Sequence, residues 1–261
     1  MIPANLIVNA DDFGIDARVS RAIALCLDEG LINSFSVYPF SDPFHEELFR
    51  EILHRHPGAK VGAHLAVVGP DLKEHPGHFR DVLIRYATGR LTAAEVRELW
   101  KAQILALQTR LGGAFLSHLD SHQHLHLLPG LWEAARSLQE EFRIPRLRIP
   151  YEGVTRAIPY RFPFGFAMQA LARLRADGEK PAFIGFFTST RFTLAGNRAA
   201  LDRIQGEPGR RFELMVHPAL PQAGSPGTPP EVALAPEQEA ELDELRKLAA
   251  YFGDTGRPTG N

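Results

Sequence analysis

The chain has 261 residues, 44% of them hydrophobic, with a formal net charge of −2 and one cysteine. That length and apolar content suit one α/β domain with a sizeable core and exclude a mainly disordered chain. The near-neutral charge argues against nucleic acid or an anionic membrane as partner. The lone Cys26 rules out an intrachain disulfide or a Cys-based zinc site.

Short apolar runs alternate with longer amphipathic segments, the pattern of repeated β-α units. Residues 6–10 read as the first strand and 18–29 as a helix stopped by Gly30. A second strand over 34–39 carries Phe35, Val37 and Tyr38, and a helix over 43–56 has Pro43 in its first turn. Residues 60–68 form a third strand. The helix over 92–111 is the clearest: Thr92 and Glu95 make a capping box, and Val96, Leu99, Ile104, Leu107 and Leu111 trace an apolar stripe. A fourth strand is expected over 115–120, a helix over 131–142, and a short fifth strand over 147–150. Then come a helix over 166–175, a strand over 183–187, a short helix over 199–205, a seventh strand over 212–216 and a charged helix over 237–251. Residues 218–236 are proline-rich and read as a surface loop. Residues 1–252 form the domain and 253–261 a loose tail. Cys26, among Ala22, Ile23 and Leu27, reads as core packing.

About seven parallel strands with intervening helices imply a single (β/α) barrel, with the chemistry at the C-terminal strand ends. No apolar run reaches the roughly 18 residues of a membrane span, and no signal-peptide pattern opens the chain, so a cytoplasmic protein is expected.

The suspicious residues fall at strand ends. Asp11 and Asp12 follow the first strand, His64 ends the third, Asp120 and His122 follow the fourth, and His217 follows the seventh. Adjacent carboxylates repel, and a metal ion or a proton relay offsets the repulsion. In 118–126 the even positions are His118, Asp120, His122, His124 and His126, which a strand would place on one face. A helix would align His118, His122 and His126 equally well, so periodicity does not decide. Gly112-Gly113 before the cluster and Pro129-Gly130 after it favour a strand running into a loop. A helical zincin motif lacks its glutamate, because position 119 is Leu. Arg148 sits at the end of the short fifth strand, placed either to contact a substrate or to pair with a site carboxylate. The Arg143–Arg148 cluster reads as a solvated edge or a local anion site.

Four strings, Asn9-Ala10-Asp11-Asp12-Phe13-Gly14, Gly62-Ala63-His64-Leu65, residues 118–126 and Val216-His217-Pro218, resemble the YdjC-like carbohydrate deacetylases. That family includes chitooligosaccharide deacetylases and hopanoid-biosynthesis-associated members. The resemblance runs in order from about residue 5 to residue 220 and implies a (β/α) barrel holding one divalent metal ion. It implies Asp12, His64 and His122 as ligands, Asp11 as general base and His217 as proton donor or orienting group. His118, Asp120, His124, His126 and Arg148 are left to substrate binding or to orienting the ligands. A nitrogen-rich ligand set favours zinc, while the family is often associated with magnesium; both Mg2+ and Zn2+ stay open.

The implied activity is removal of an acetyl group from an N-acetylated amino sugar. A metal-dependent phosphoesterase and a non-catalytic sugar-binding barrel are the competing readings. The related NodB-type motif, His-Ser/Thr-x-x-His, is not matched, because Leu119 follows His118. Two departures from the family stand out. Phe35 and Tyr38 are bulky where small polar residues are usual, and no final strand follows the last helix, so closure of the barrel is in question. An aromatic loop over 162–166 could cap the pocket. A homo-oligomer is compatible with the sequence and not indicated by it.

Overall fold

The computed structural model describes residues 2–40, 42–67, 79–112, 115–153, 164–176, 181–221 and 236–255. Its elements, in chain order, are β1 (Leu6–Phe13), α1 (Ala17–Asp28), β2 (Ser34–Val37), α2 (Pro43–Arg55), β3 (Lys60–Leu65), α3 (Phe79–Ala87), α4 (Ala93–Arg110) and β4 (His118–Ser121). A 3-10 turn (His122–Leu127) follows, then α5 (Leu131–Glu141), α6 (Phe164–Arg175), β5 (Ala182–Ile184), α7 (Leu194–Gly206), β6 (Phe212–Val216) and α8 (Pro236–Thr255).

All pairings between these strands are parallel, and the six form one sheet in the order β4-β3-β2-β1-β6-β5. The sheet curls as a half-barrel, and β4 and β5 remain its two edges among the described residues. Closure is therefore incomplete, and among the described residues the strands number six rather than seven. The expected strand over 147–150 is reduced to one bridge, Leu119 to Leu147. The reason is local. Leu119 exchanges backbone hydrogen bonds with Arg146 and Arg148, then Pro150, which has no N–H, interrupts the ladder.

The helices begin where their caps dictate. Asp16 accepts from the Arg18 N–H and Asp42 from the Phe44 N–H, and Thr92 and Glu95 close the capping box of α4. α4 buries Val96, Trp100, Ile104 and Leu107. α3 is an element the sequence reading does not name; it buries Val82 and leaves Ile84 46% exposed. α8 continues to Thr255, so the first residues assigned to a tail are helical. Of the aromatic loop expected over 162–166, residues 162–163 lie outside the described residues and 164–166 are instead the first turn of α6; most of the proline-rich loop also lies outside them.

Each strand of the sheet's centre has two buried faces, as parallel sheets require. Phe13, Phe35 and Phe49 meet with centroids 5.6 to 6.2 Å apart in the layer between the sheet and α2. Cys26 is fully buried in the same core, and burial pushes its thiol up to about 12, as expected for an inert core thiol.

Register explains one glycine. Ser36 on β2 pairs with Gly62 on β3, and Gly62 pairs with His118 on β4. The His118 ring lies across Gly62 and reaches Ser36 Oγ at 2.9 Å. A Cβ at position 62 would stand 2.2 Å from His118 Nε2. Gly62→Ala should therefore displace the ring and cost about 1–3 kcal/mol in urea unfolding; an unchanged midpoint would contradict this packing.

Candidate metal centre

In an ordinary strand Asp11 and Asp12 would point to opposite faces. β1 avoids this: its register with β2 breaks between Ala10 and Phe13, and Asp12 sits at φ 73°. A bulge with a left-handed residue re-aims a side chain at some cost in strain. Here it brings both carboxylates to His64, whose Nε2 is 3.1 Å from Asp12 Oδ1 and whose Nδ1 is 3.9 Å from Asp11 Oδ2. The turn is held by Gly14, at φ 102°, whose N–H donates to Ser20 Oγ at 2.9 Å.

Asp12, His64 and His122 offer one donor atom each within 4.8 Å of one another. His122 Nδ1 is 3.0 Å from the same Asp12 Oδ1 that faces His64. Three donors aimed at one point fit a single divalent ion with open positions. Asp12 and His64 are buried, while the His122 side chain is 30% exposed and marks the side from which the site is reached. Burial alone would raise the Asp12 carboxyl, but the charges and hydrogen bonds of His122 and His64 hold it well below its ordinary value. Burial likewise opposes the His64 cation, yet Asp120, Asp12 and Asp11 outweigh it and hold His64 well above its ordinary value. An ion beside Nε2 would take the place of that proton, so the donor set fits a metal.

Asp120 pairs in register with His64 and accepts from its Nδ1 at 2.7 Å. A carboxylate behind a histidine fixes the ring and leaves the other nitrogen for an ion. Asp120 Oδ2 also accepts from Ser36 Oγ at 2.6 Å and faces Arg148 Nη1 at 2.8 Å. His118 supports this layer through Ser36 and Ser117.

Arg148 is 1% exposed and surrounded by three carboxylates. It donates to both oxygens of Asp11 at 2.6 and 2.9 Å and through Nε to Glu213 at 2.8 Å, and faces Asp120 as above. Burial disfavours the guanidinium charge, and Asp11, Asp120 and Glu213 more than restore it. Of the two roles open to Arg148, the geometry places it in the carboxylate pairing. Within the Arg143–Arg148 cluster, Arg146 and Arg148 both pair with Glu213. Asn9 adds a bond to Asp11 Oδ1 at 2.7 Å.

His217 follows β6 directly after Val216, whose pairing with Ala10 is the last of the β1–β6 ladder, so its backbone leaves the sheet at the C-terminal strand ends. The common face expected for 118–126 holds only as far as Asp120. After Ser121 the chain turns, with Gln123 and His124 at φ 55° and 57°. His124 stacks on Phe186 at 5.3 Å. His126 bonds Ser121 Oγ at 2.7 Å and the Arg148 carbonyl at 3.0 Å. His124 thus packs among Phe183 and Phe186, and His126 acts on Arg148's backbone. Asn9, Ser36 and Glu213 are the site residues that sequence reasoning passed over. The available signal was alternation: Ser34 and Ser36 flank Phe35, and Glu213 interrupts an apolar strand.

An incompletely closed, parallel (β/α) sheet with an Asp-His-His cluster at its C-terminal strand ends defines a barrel-type α/β protein with a metal-competent centre. The chain belongs to the YdjC-like family, whose model matches residues 5–250. It is similar to the carbohydrate deacetylase of Vibrio parahaemolyticus, 31% identical over 153 residues, which is 54% of this chain and 57% of that protein. The mouse carbohydrate deacetylase is 29% identical across 94% of this chain and 88% of its own. The chain spans 57% of the Vibrio relative and 59% of the Brevibacillus brevis one, less than two thirds of either. A crystal structure from Enterococcus faecalis, titled for cellobiose-phosphate cleavage, has a TM-score of 0.64 at 20% identity, covering 98% and 96% of the two chains, a likeness of fold.

Burial pushes His126 down to about 4, against the Arg148 carbonyl bond and the Asp120 charge. A depressed folded value means that the unfolded chain takes up this proton first. The stability His126 contributes is full above the ordinary value near 6.5 and is lost as pH falls toward 4, by about 3 kcal/mol. Urea unfolding of His126→Gln should show a shallower loss between pH 6.5 and 4 than the wild type; an identical slope would contradict the assignment.

Proposed function

We propose that this chain is a metal-dependent carbohydrate N-deacetylase, a hydrolase that cleaves the amide of an N-acetylated amino sugar to acetate and amine. The observation that carries the reading is the division of the two aspartates. Asp12 shares its oxygen with His64 and His122, while Asp11 is turned to the same side and committed to Arg148. Membership of the YdjC-like family and relatives named carbohydrate deacetylases support it.

Asp12, His64 and His122 would hold one divalent ion, zinc or magnesium. When bound, it would supply Lewis acidity to the amide carbonyl and acidify the attacking water. The chain's own groups do the rest. Asp11 Oδ2 accepts one short bond from Arg148 and keeps a lone-pair site, so it can take the proton from the attacking water. Arg148 and Asn9 fix the orientation of that carboxylate. Asp120 holds the tautomer of His64. His217, at the end of β6, gives a proton to the departing amine nitrogen, which would otherwise leave as an unstable anion.

A two-metal phosphoesterase would need a second cation about 4 Å from the first. Among the described residues the second acid and histidine cluster is Asp11, His64 and Asp120. Its two carboxylates already share the Arg148 guanidinium, which supplies the positive charge a second ion would bring.

Acetate release from N-acetylglucosamine, short chitooligosaccharides and carrier-linked amino sugars, each assayed with Zn2+ and Mg2+, tests the reading. Asp11→Asn should lower turnover by about 10²–10⁴-fold with the metal retained, and Asp12→Asn should lose the metal itself. Near-full turnover of metal-loaded Asp11→Asn would sink the base assignment. Metal binding with no acetate from any of these sugars would favour a binding protein.

A further inference from the structure

α8 lies far along the chain from the metal cluster, yet it grips the peptide that carries His217. Glu241 is fully buried, and its Oε2 accepts the His217 N–H at 2.5 Å. Gln238, one turn earlier and 5% exposed, donates its amide to the His217 carbonyl at 3.3 Å. The Gln238 carbonyl accepts the Ala219 N–H at 3.1 Å. Three hydrogen bonds from one helix face thus fix both sides of the His217 residue and the turn after it. The second oxygen of Glu241 accepts the Phe192 N–H at 2.9 Å, and Glu244 accepts the Leu194 N–H at 2.7 Å, so the same face also ties down the start of α7.

A buried carboxyl with both oxygens spent on backbone N–H groups is an expensive way to end a strand. A buried acid is unfavourable unless its bonds do something a neutral side chain cannot. Asparagine or glutamine would present an N–H₂ to one of the two donors; a carboxyl accepts from both. The cost falls beside Asp11, whose charge adds to the burial that pushes Glu241 up to about 8.

We propose that Glu241 is a positioning residue that fixes His217 at the C-terminal strand ends through the backbone, with Gln238 as the second arm of the clamp. The proposal rests on the deacetylase reading for its kinetic consequence, but not for its geometry. β6 pairs with β1 only as far as Val216 with Ala10, so the ladder itself leaves His217 unconstrained. Beyond that pair, α8 supplies two hydrogen bonds to the His217 main chain. A shift of about 1 Å in a catalytic group is enough for a large rate loss, and Glu241 touches none of Asp12, His64 or His122 in the contacts that define it.

The test uses the full-length, zinc-loaded protein, with Glu241→Ala, Glu241→Gln, His217→Ala and the Glu241→Ala/His217→Ala double variant. Metal content and the His217 ring resonances are read first, without substrate. Glu241→Ala should keep one equivalent of zinc and displace the His217 ring signal, and Glu241→Gln, which keeps one acceptor, should displace it less. In acetate release, Glu241→Ala should lower kcat about 10-fold or more with KM within about twofold, and add nothing in the His217→Ala background. An unmoved ring signal, or an undiminished kcat, overturns the proposal. So does a further kcat loss in the double variant, which a merely structural role would give. A wild type that releases no acetate, with the ring signal still displaced in Glu241→Ala, refutes the deacetylase reading and supports the clamp.

Discussion

The buried carboxylates behind the metal cluster are organised around the charge of Arg148. Its guanidinium is out of water and touches Asp11, Asp120 and Glu213, and no one of these four charges is tenable there alone. Asp120 in turn sets His64, and Glu213 is shared with Arg146. Removing the arginine would leave three buried carboxylates facing one another. Breaking one side of such a group is more destructive than never having built it, because the remaining charge has no water to fall back on. The arrangement explains why a chain of near-zero net charge keeps so many ionised groups in its interior: the charges are local, paired and fixed by geometry.

The backbone contributes the second constraint. Two adjacent carboxylates can serve one centre only if the strand that carries them is broken, and β1 is broken at Asp12. The positive φ is tolerable because Asp is among the residues that visit the left-handed region most readily. The strain is held by Gly14 and Ser20 on one side and by the pairings of β1 with β2 and β6 on the other. The same economy of space appears at Gly62, where the missing side chain lets His118 cross a strand and reach Ser36. Sheet register and site chemistry are one design here.

How much of this was legible beforehand depends on the kind of signal. The strand over Phe212–Val216 and the capping box at Thr92 coincide with the reading from the sequence, because alternation and caps are local. Asp11, Asp12, His64, Asp120 and His122 could be named because strand ends concentrate polar residues after apolar runs. The residues at 147–150 misled, since their apolar pattern looks like a strand while Pro150 denies the ladder a donor. The even spacing of the histidine-rich run reads as one face only if the strand continues, and the chain instead turns at His122. Glu213 and Glu241 were invisible as partners: their significance lies in contacts with residues 65 and 24 positions away, which no local pattern encodes.

The central claim is that the acidic centre takes one cation, at Asp12, and that Arg148 occupies the place of a second. Anomalous diffraction from crystals of the zinc-loaded protein, recorded on both sides of the zinc edge, measures this most directly. The account predicts one peak bounded by Asp12, His64 and His122, with Arg148 still on Asp11 and Asp120. A second peak between Asp11 and Asp120, with the guanidinium displaced, would contradict it.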